Sequence, residues 1–130
     1  MGARGEFTWR EISTQAESWR GAIDATVEQG DRLAGLGRRA TGPGIVFIGC
    51  GSTHYLALFA APYFQRVTGI PCRGMPSSEL ALQTDTVVSE GETPLVIALS
   101  RSGETSETIM AVEEMRARGS KALAITCYGE

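Results

Sequence analysis

The run Ile45-Val46-Phe47-Ile48 closes on Gly49-Cys50-Gly51-Ser52-Thr53, and this join restricts the fold more than any other feature of the chain. Four consecutive apolar residues, all of them β-branched or aromatic, leave a strand no polar side to turn to water, so both of its faces must be covered. Residues His54 to Thr68 then read as a helix, stopped by Gly69 with Pro71 two residues beyond. A second such unit follows: Leu95 to Leu99, entered through Pro94, runs into Ser100-Arg101-Ser102-Gly103-Glu104-Thr105-Ser106-Glu107-Thr108 and a helix that reaches Arg118 before Gly119. Cys72 to Met75 gives a short strand between the two units, Ser77-Ser78 caps a helical turn over Glu79 to Gln83, and Ala122 to Thr126 gives a fourth strand. Strands that alternate with helices and carry apolar residues on both faces predict an α/β fold, a doubly wound parallel sheet, for which the flavodoxin-like 2-1-3-4 is a common order. In that order the sheet changes direction between the strands at Ile45 and Leu95, so a ligand crevice is expected outside their carboxyl ends.

Upstream, Trp9, Ile12, Ala16, Trp19, Ile23 and Val27 recur at three- and four-residue steps, one amphipathic stripe in a helical segment that spans residues 1–40. Gly30 and the Gly35/Gly37 pair predict a break or a second short helix before Arg39, and both tryptophans are expected to pack. Residues 41–130 form the sheet domain, and 130 residues suit one globular unit. Twelve basic and fifteen acidic side chains give a net charge of −3, too weak a field for a general nucleic-acid or anionic-membrane binder. Three cysteines without CxxC spacing fit a reducing compartment, and no apolar run approaches the ~18 residues of a membrane span. The chain is therefore expected to be cytoplasmic.

With no bulk positive charge, an anion must be held by local geometry. Gly51, Ser52 and Thr53 place backbone N–H groups and two hydroxyls where a helix dipole favours negative charge. Ser100, Ser102, Thr105 and Ser106 repeat the arrangement, with Gly103 for close approach and Arg101 as the local cation. Either loop alone reads first as helix caps and turn residues; the two together at a switch point favour a phosphate. Other phosphate motifs fit less well. Gly49-x-Gly51-x-x-His54 lacks the third glycine of a dinucleotide fingerprint, and Lys121, the one lysine, follows a helix rather than a glycine-rich loop. Glu104 and Glu107 would repel a phosphate unless turned away. His54, Glu79 and Glu104 are the nearby candidates for a general acid or base, each with a structural reading beside it; Cys50 and His54 alone make no metal site, and no cofactor is expected.

The two loops resemble the sugar-phosphate loops of SIS (sugar isomerase) domains, with closest likeness to the isomerase part of glutamine:fructose-6-phosphate aminotransferases and to glucosamine-6-phosphate deaminases and related phosphosugar isomerases. Trp9-Arg10-Glu11-Ile12-Ser13-Thr14-Gln15 resembles the Lys-Glu-Ile-x-x-Gln segment that leads into that domain; Pro71-Cys72 and Ser78-Glu79-Leu80 are similar to its Ile-Pro-Cys and Ser-Glu-Phe landmarks. The resemblance implies that Ser52 and Thr53 contact a sugar, that Ser100, Ser102 and Thr105 hold its phosphate with the adjoining amides, and that Cys50 and Gly51 shape the turn. It implies a hexose 6-phosphate ligand such as fructose 6-phosphate or glucosamine 6-phosphate, and a homodimer. This chain carries Arg101, His54 and Ala16 where the aminotransferase commonly has Gln, Tyr and Pro. The family's catalytic Glu, His and Lys lie beyond the first SIS domain, so the chain is expected to be the front portion of a longer enzyme, one strand and a second SIS domain short, and to bind rather than turn over. The alternative is a non-enzymatic SIS domain that senses sugar phosphates in a regulator.

Overall fold

The computed structural model describes residues 4–39 and 43–127. Eleven elements follow in chain order: α1 (Glu6–Ser13), α2 (Gln15–Glu28), α3 (Gly30–Arg39), β1 (Ile45–Gly49), α4 (Ser52–Thr68), β2 (Cys72–Pro76), α5 (Ser77–Leu82), α6 (Thr84–Val87), β3 (Leu95–Leu99), α7 (Ser106–Ala117) and β4 (Ala122–Ile125). The chain divides into two compact units, with the boundary inside α3 between Gly35 and Leu36.

In the second unit the four strands form one sheet in the order β2-β1-β3-β4, with every pairing parallel. This is the doubly wound α/β order that the sequence predicts. The two central strands are buried at every position, as their unbroken apolar runs require. Alternate residues face opposite layers. Val46, Ile48, Val96 and Ala98 meet Met75, Leu80, Ala111 and Met115, so α5 and α7 cover one face. Ile45, Phe47, Leu95, Ile97 and Leu99 meet Ala57 and Ala61, so α4 covers the other, where Phe47 and Phe64 pack with ring centroids 5.7 Å apart.

The boundaries shift where local geometry overrides pattern. Helix α4 starts two residues earlier than its apolar period suggests, because Gly51 takes φ 59° and turns the chain directly into Ser52. Strand β2 runs one residue further, to Pro76, because Gly49 of β1 pairs with it. The short helix α6 goes unforeseen: Gln83-Thr84-Asp85-Thr86 has no apolar period, and the turn is held by the Thr84 hydroxyl, which donates to the Leu80 carbonyl at 2.6 Å.

In the first unit the single stripe becomes two helices with Thr14 between them, its hydroxyl donating to the Arg10 carbonyl at 3.0 Å. Neither α1 nor α2 holds a buried residue. Trp9 and Trp19, expected to pack, are 71% and 66% exposed. Two short helices can align an apolar stripe but cannot enclose it by themselves. Among the described residues no helix is long and apolar enough to cross a membrane.

Candidate functional site

The site follows from strand register. Gly49 ends β1 opposite Leu99 at the end of β3, and opposite Pro76 at the end of β2. The loops that leave β1 and β3 therefore start side by side at the carboxyl edge of the sheet, where the order β2-β1-β3 places the switch between layers: α4 turns to one face and α7 to the other. Each loop ends at a helix N-terminus whose first N–H groups have no intrahelical acceptor.

The first loop is built by backbone crowding. A Cβ on Gly49 would run into the carbonyl of Thr53 and the amide of His54, so only glycine lets the first turn of α4 sit on the end of β1. The Thr53 hydroxyl accepts from the Cys50 amide and donates to the Cys50 carbonyl, both at 3.0 Å. Gly51 and Ser52 are exposed, and the Ser52 hydroxyl has no partner among the described residues. The ring of His54 lies 5.4 Å from that of Tyr55, and its Nδ1 is buried with no hydrogen-bond partner among the described residues.

The second loop is built by its own hydroxyls. Ser100 is buried, and its Oγ accepts from the Gly103 amide at 3.1 Å and lies 3.4 Å from the Oγ1 of Thr105. Ser102 Oγ accepts from the Glu104 amide at 3.2 Å, and the Arg101 carbonyl accepts from the Cys127 amide at 3.2 Å. Thr105 is the N-cap of α7 by position, yet its side chain makes no capping bond; its carbonyl takes the amides of Thr108 and Ile109, which leaves those of Ser106 and Glu107 open among the described residues. Arg101 is exposed and joins no ion pair among the described residues; Glu104 and Glu107 are exposed as well.

Of the residues singled out from sequence, Gly51, Ser100, Arg101, Ser102 and Thr105 thus stand on the two neighbouring loops and Ser52 and Thr53 open α4 beside them, but they differ in what their side chains have left to give. Ser52 and Arg101 have no partner among the described residues, while the hydroxyls of Thr53, Ser100 and Ser102 already serve the loops. The sequence reading also passes over a contact behind the site. Ser77, read as a helix cap, instead meets Thr108 Oγ1 at 2.9 Å in a buried hydroxyl pair. No sequence signal joins two residues 31 positions apart.

The perturbed ionisable groups stand away from this edge. Partial burial pushes the Cys72 thiol up. The guanidinium of Arg118, hydrogen-bonded by Glu114 and by Asp85, each at 2.8 Å, is raised above its usual range and links α6 to α7. No cluster of three or more metal-binding side chains occurs among the described residues.

Comparison with known proteins agrees with the geometry. The SIS domain family matches residues 42–130. The glutamine–fructose-6-phosphate aminotransferase of Aeropyrum pernix is 33% identical over 126 residues, covering 92% of this chain and 19% of the relative. The chain spans about a fifth of the length of the curated relatives it matches. Among solved structures, glucosamine-6-phosphate deaminase from Thermotoga maritima is 32% identical, with a TM-score of 0.59 over 70% of this chain and 28% of that one. Tagatose-6-phosphate ketose/aldose isomerase from Escherichia coli superposes with a TM-score of 0.85 over 96% of this chain and 35% of that one; at 24% identity this speaks to the fold. The chain belongs to the SIS domain family.

Proposed function

We propose that this SIS domain binds the phosphate of a hexose 6-phosphate, fructose 6-phosphate or glucosamine 6-phosphate, between the β1–α4 and β3–α7 loops. The observation that carries the reading is the Gly49 to Leu99 pairing, which starts both loops side by side and leads each to a helix N-terminus. A dianion there meets two positive dipole ends and unpaired amides. In this reading Arg101 supplies the formal charge, Ser52 contributes a free hydroxyl toward the sugar, and Thr53 orients the turn beside it. Ser100, Ser102 and Thr105 hold the phosphate loop in shape, and Ser102 and Thr105 turn their remaining capacity to the ligand. Relatives named for fructose 6-phosphate and glucosamine 6-phosphate support the choice of ligand.

Binding and turnover divide along chemical lines. Shifting a proton between the first two sugar carbons requires a carboxylate or imidazole of suitable pKa within hydrogen-bond reach. The loops themselves offer hydroxyls, amides, a guanidinium and the exposed carboxylate of Glu104. In this reading the isomerase, deaminase or aminotransferase reaction of the whole protein draws its base from beyond the first SIS domain, as the likeness to the family implies, and Glu104 turns away from the phosphate. The domain works in this reading as part of a cytoplasmic homodimer with residues 41–130 as the first SIS domain, and its three free cysteines suit that compartment.

Calorimetric titration with fructose 6-phosphate, glucosamine 6-phosphate, fructose and inorganic phosphate tests the proposal. Both phosphosugars should bind, free fructose should not, and Ser102→Ala should weaken binding by roughly tenfold, the worth of one charge-assisted hydrogen bond. Equal affinity for fructose and its 6-phosphate, or a folded chain that binds neither, overturns it.

A further inference from the structure

We propose that Ser77 and Thr108 are positioning residues: a buried hydroxyl pair that holds the β3–α7 loop in its binding shape without touching the ligand. Ser77 is fully buried where β2 passes into α5, and Thr108 is 5% exposed in the first turn of α7. Strands β2 and β3 are not neighbours, since β1 lies between them. The 2.9 Å contact between the two hydroxyls crosses that gap in the layer where α5 and α7 cover the sheet. Both side chains are buried, where a hydroxyl left without a partner is costly.

The pair continues to the surface through short links. The amide of Thr108 donates to the Thr105 carbonyl at 3.0 Å, the Thr105 hydroxyl faces Ser100 Oγ at 3.4 Å, and Ser100 Oγ accepts from the Gly103 amide at 3.1 Å. A buried contact at the end of β2 thereby reaches the backbone of the phosphate loop. Packing alone fixes where α7 lies on the sheet; a directional bond in its first turn also fixes how far the helix is rotated and which way its first amides point. What the loop is for rests on the proposed function; what holds it in shape does not.

Hydrogen exchange on the full chain separates the two. Thr108→Val keeps the side-chain shape and removes the hydroxyl, while Thr108→Ser keeps the hydroxyl and removes a methyl group. The double variant Ser77→Ala/Thr108→Val removes both polar partners together, which avoids an unpaired buried group and keeps the fold intact. In Thr108→Val and in the double variant, the amides of Gly103 and Glu104 should exchange roughly tenfold faster, the factor that one net hydrogen bond is worth. Thr108→Ser should retain the wild-type rate. Fructose 6-phosphate affinity should fall in parallel in the first two variants and hold in the third. Unchanged Gly103 exchange in the folded double variant overturns the inference, as does a Thr108→Ser loop that loosens as much as Thr108→Val. Loop loosening in a protein whose wild-type form binds no phosphosugar supports the positioning role and refutes the proposed ligand.

Discussion

The β1–α4 and β3–α7 loops read alike in sequence and are made in different ways. Both are small, hydroxyl-rich and followed by a helix, yet the first is shaped by the crowding of Gly49 against Thr53 and His54, and the second by side-chain bonds from Ser100 and Ser102. A loop set by backbone contact fails when a side chain is added. A loop set by hydroxyls fails when an oxygen is removed. Similar composition therefore does not imply similar vulnerability, and the residues most exposed to a ligand are not those on which either loop depends.

The sharpest way to break the comparison is Gly49→Ala. Its Cβ meets backbone rather than a movable side chain, so the first turn of α4 must shift off β1. The expected loss is about 3 kcal/mol of stability in urea denaturation, at the upper end for overpacking. A loss below about 0.5 kcal/mol would show that the turn can yield and that crowding does not shape it.

A matched pair of oxygen deletions sharpens the contrast further. Thr53→Val strips the Cys50 amide of its acceptor, and Ser100→Ala does the same to Gly103; each should cost about 1–2 kcal/mol. Their structural effects should differ. Ser100→Ala should raise exchange at Gly103 in the second loop, while Thr53→Val should leave the first turn of α4 protected, because the glycine contact remains. Equal loosening of both loops in exchange measurements would erase the distinction drawn between them.

The smallest effect on the fold belongs to Arg101→Gln. The side chain is exposed and joins no ion pair among the described residues, so stability should stay within about 0.5 kcal/mol. Phosphosugar affinity should nevertheless drop several-fold, with a weaker dependence on salt, as expected when one cation leaves an anion site. Calorimetry at two ionic strengths reads both; an unchanged salt dependence would remove Arg101 from the site.

Much of this was legible in the chain because burial leaves a local trace. Ile45 to Ile48 and Leu95 to Leu99 are apolar on both faces, which only a central strand of a covered sheet needs, and Gly69 stops α4 through a left-handed cap at φ 73°. The switch point followed from the order of elements, and the candidate loops from their composition. The N-terminal stripe shows the limit of the same reasoning. Periodicity places Trp9, Ile12, Trp19, Ile23 and Val27 on one side of helical segments, but it says nothing about what covers them, and they stand exposed.

The sequence by itself determined the α/β class and the two hydroxyl-rich loops, since each depends on residues close together in the chain; the strand order was expected as the common one for this class, and the pairings of the fold fixed it. Only the tertiary structure decided which hydroxyls remain free. Thr53 turns back to Cys50, Ser100 supports Gly103, and Ser77 finds Thr108, whereas Ser52 meets no partner among the described residues. The physical reason is that a serine or threonine hydroxyl satisfies itself with whatever donor or acceptor folding brings within about 3 Å. For Ser77 and Thr108 that neighbour comes from the other side of an intervening strand, a proximity set by packing and register rather than by any spacing along the chain.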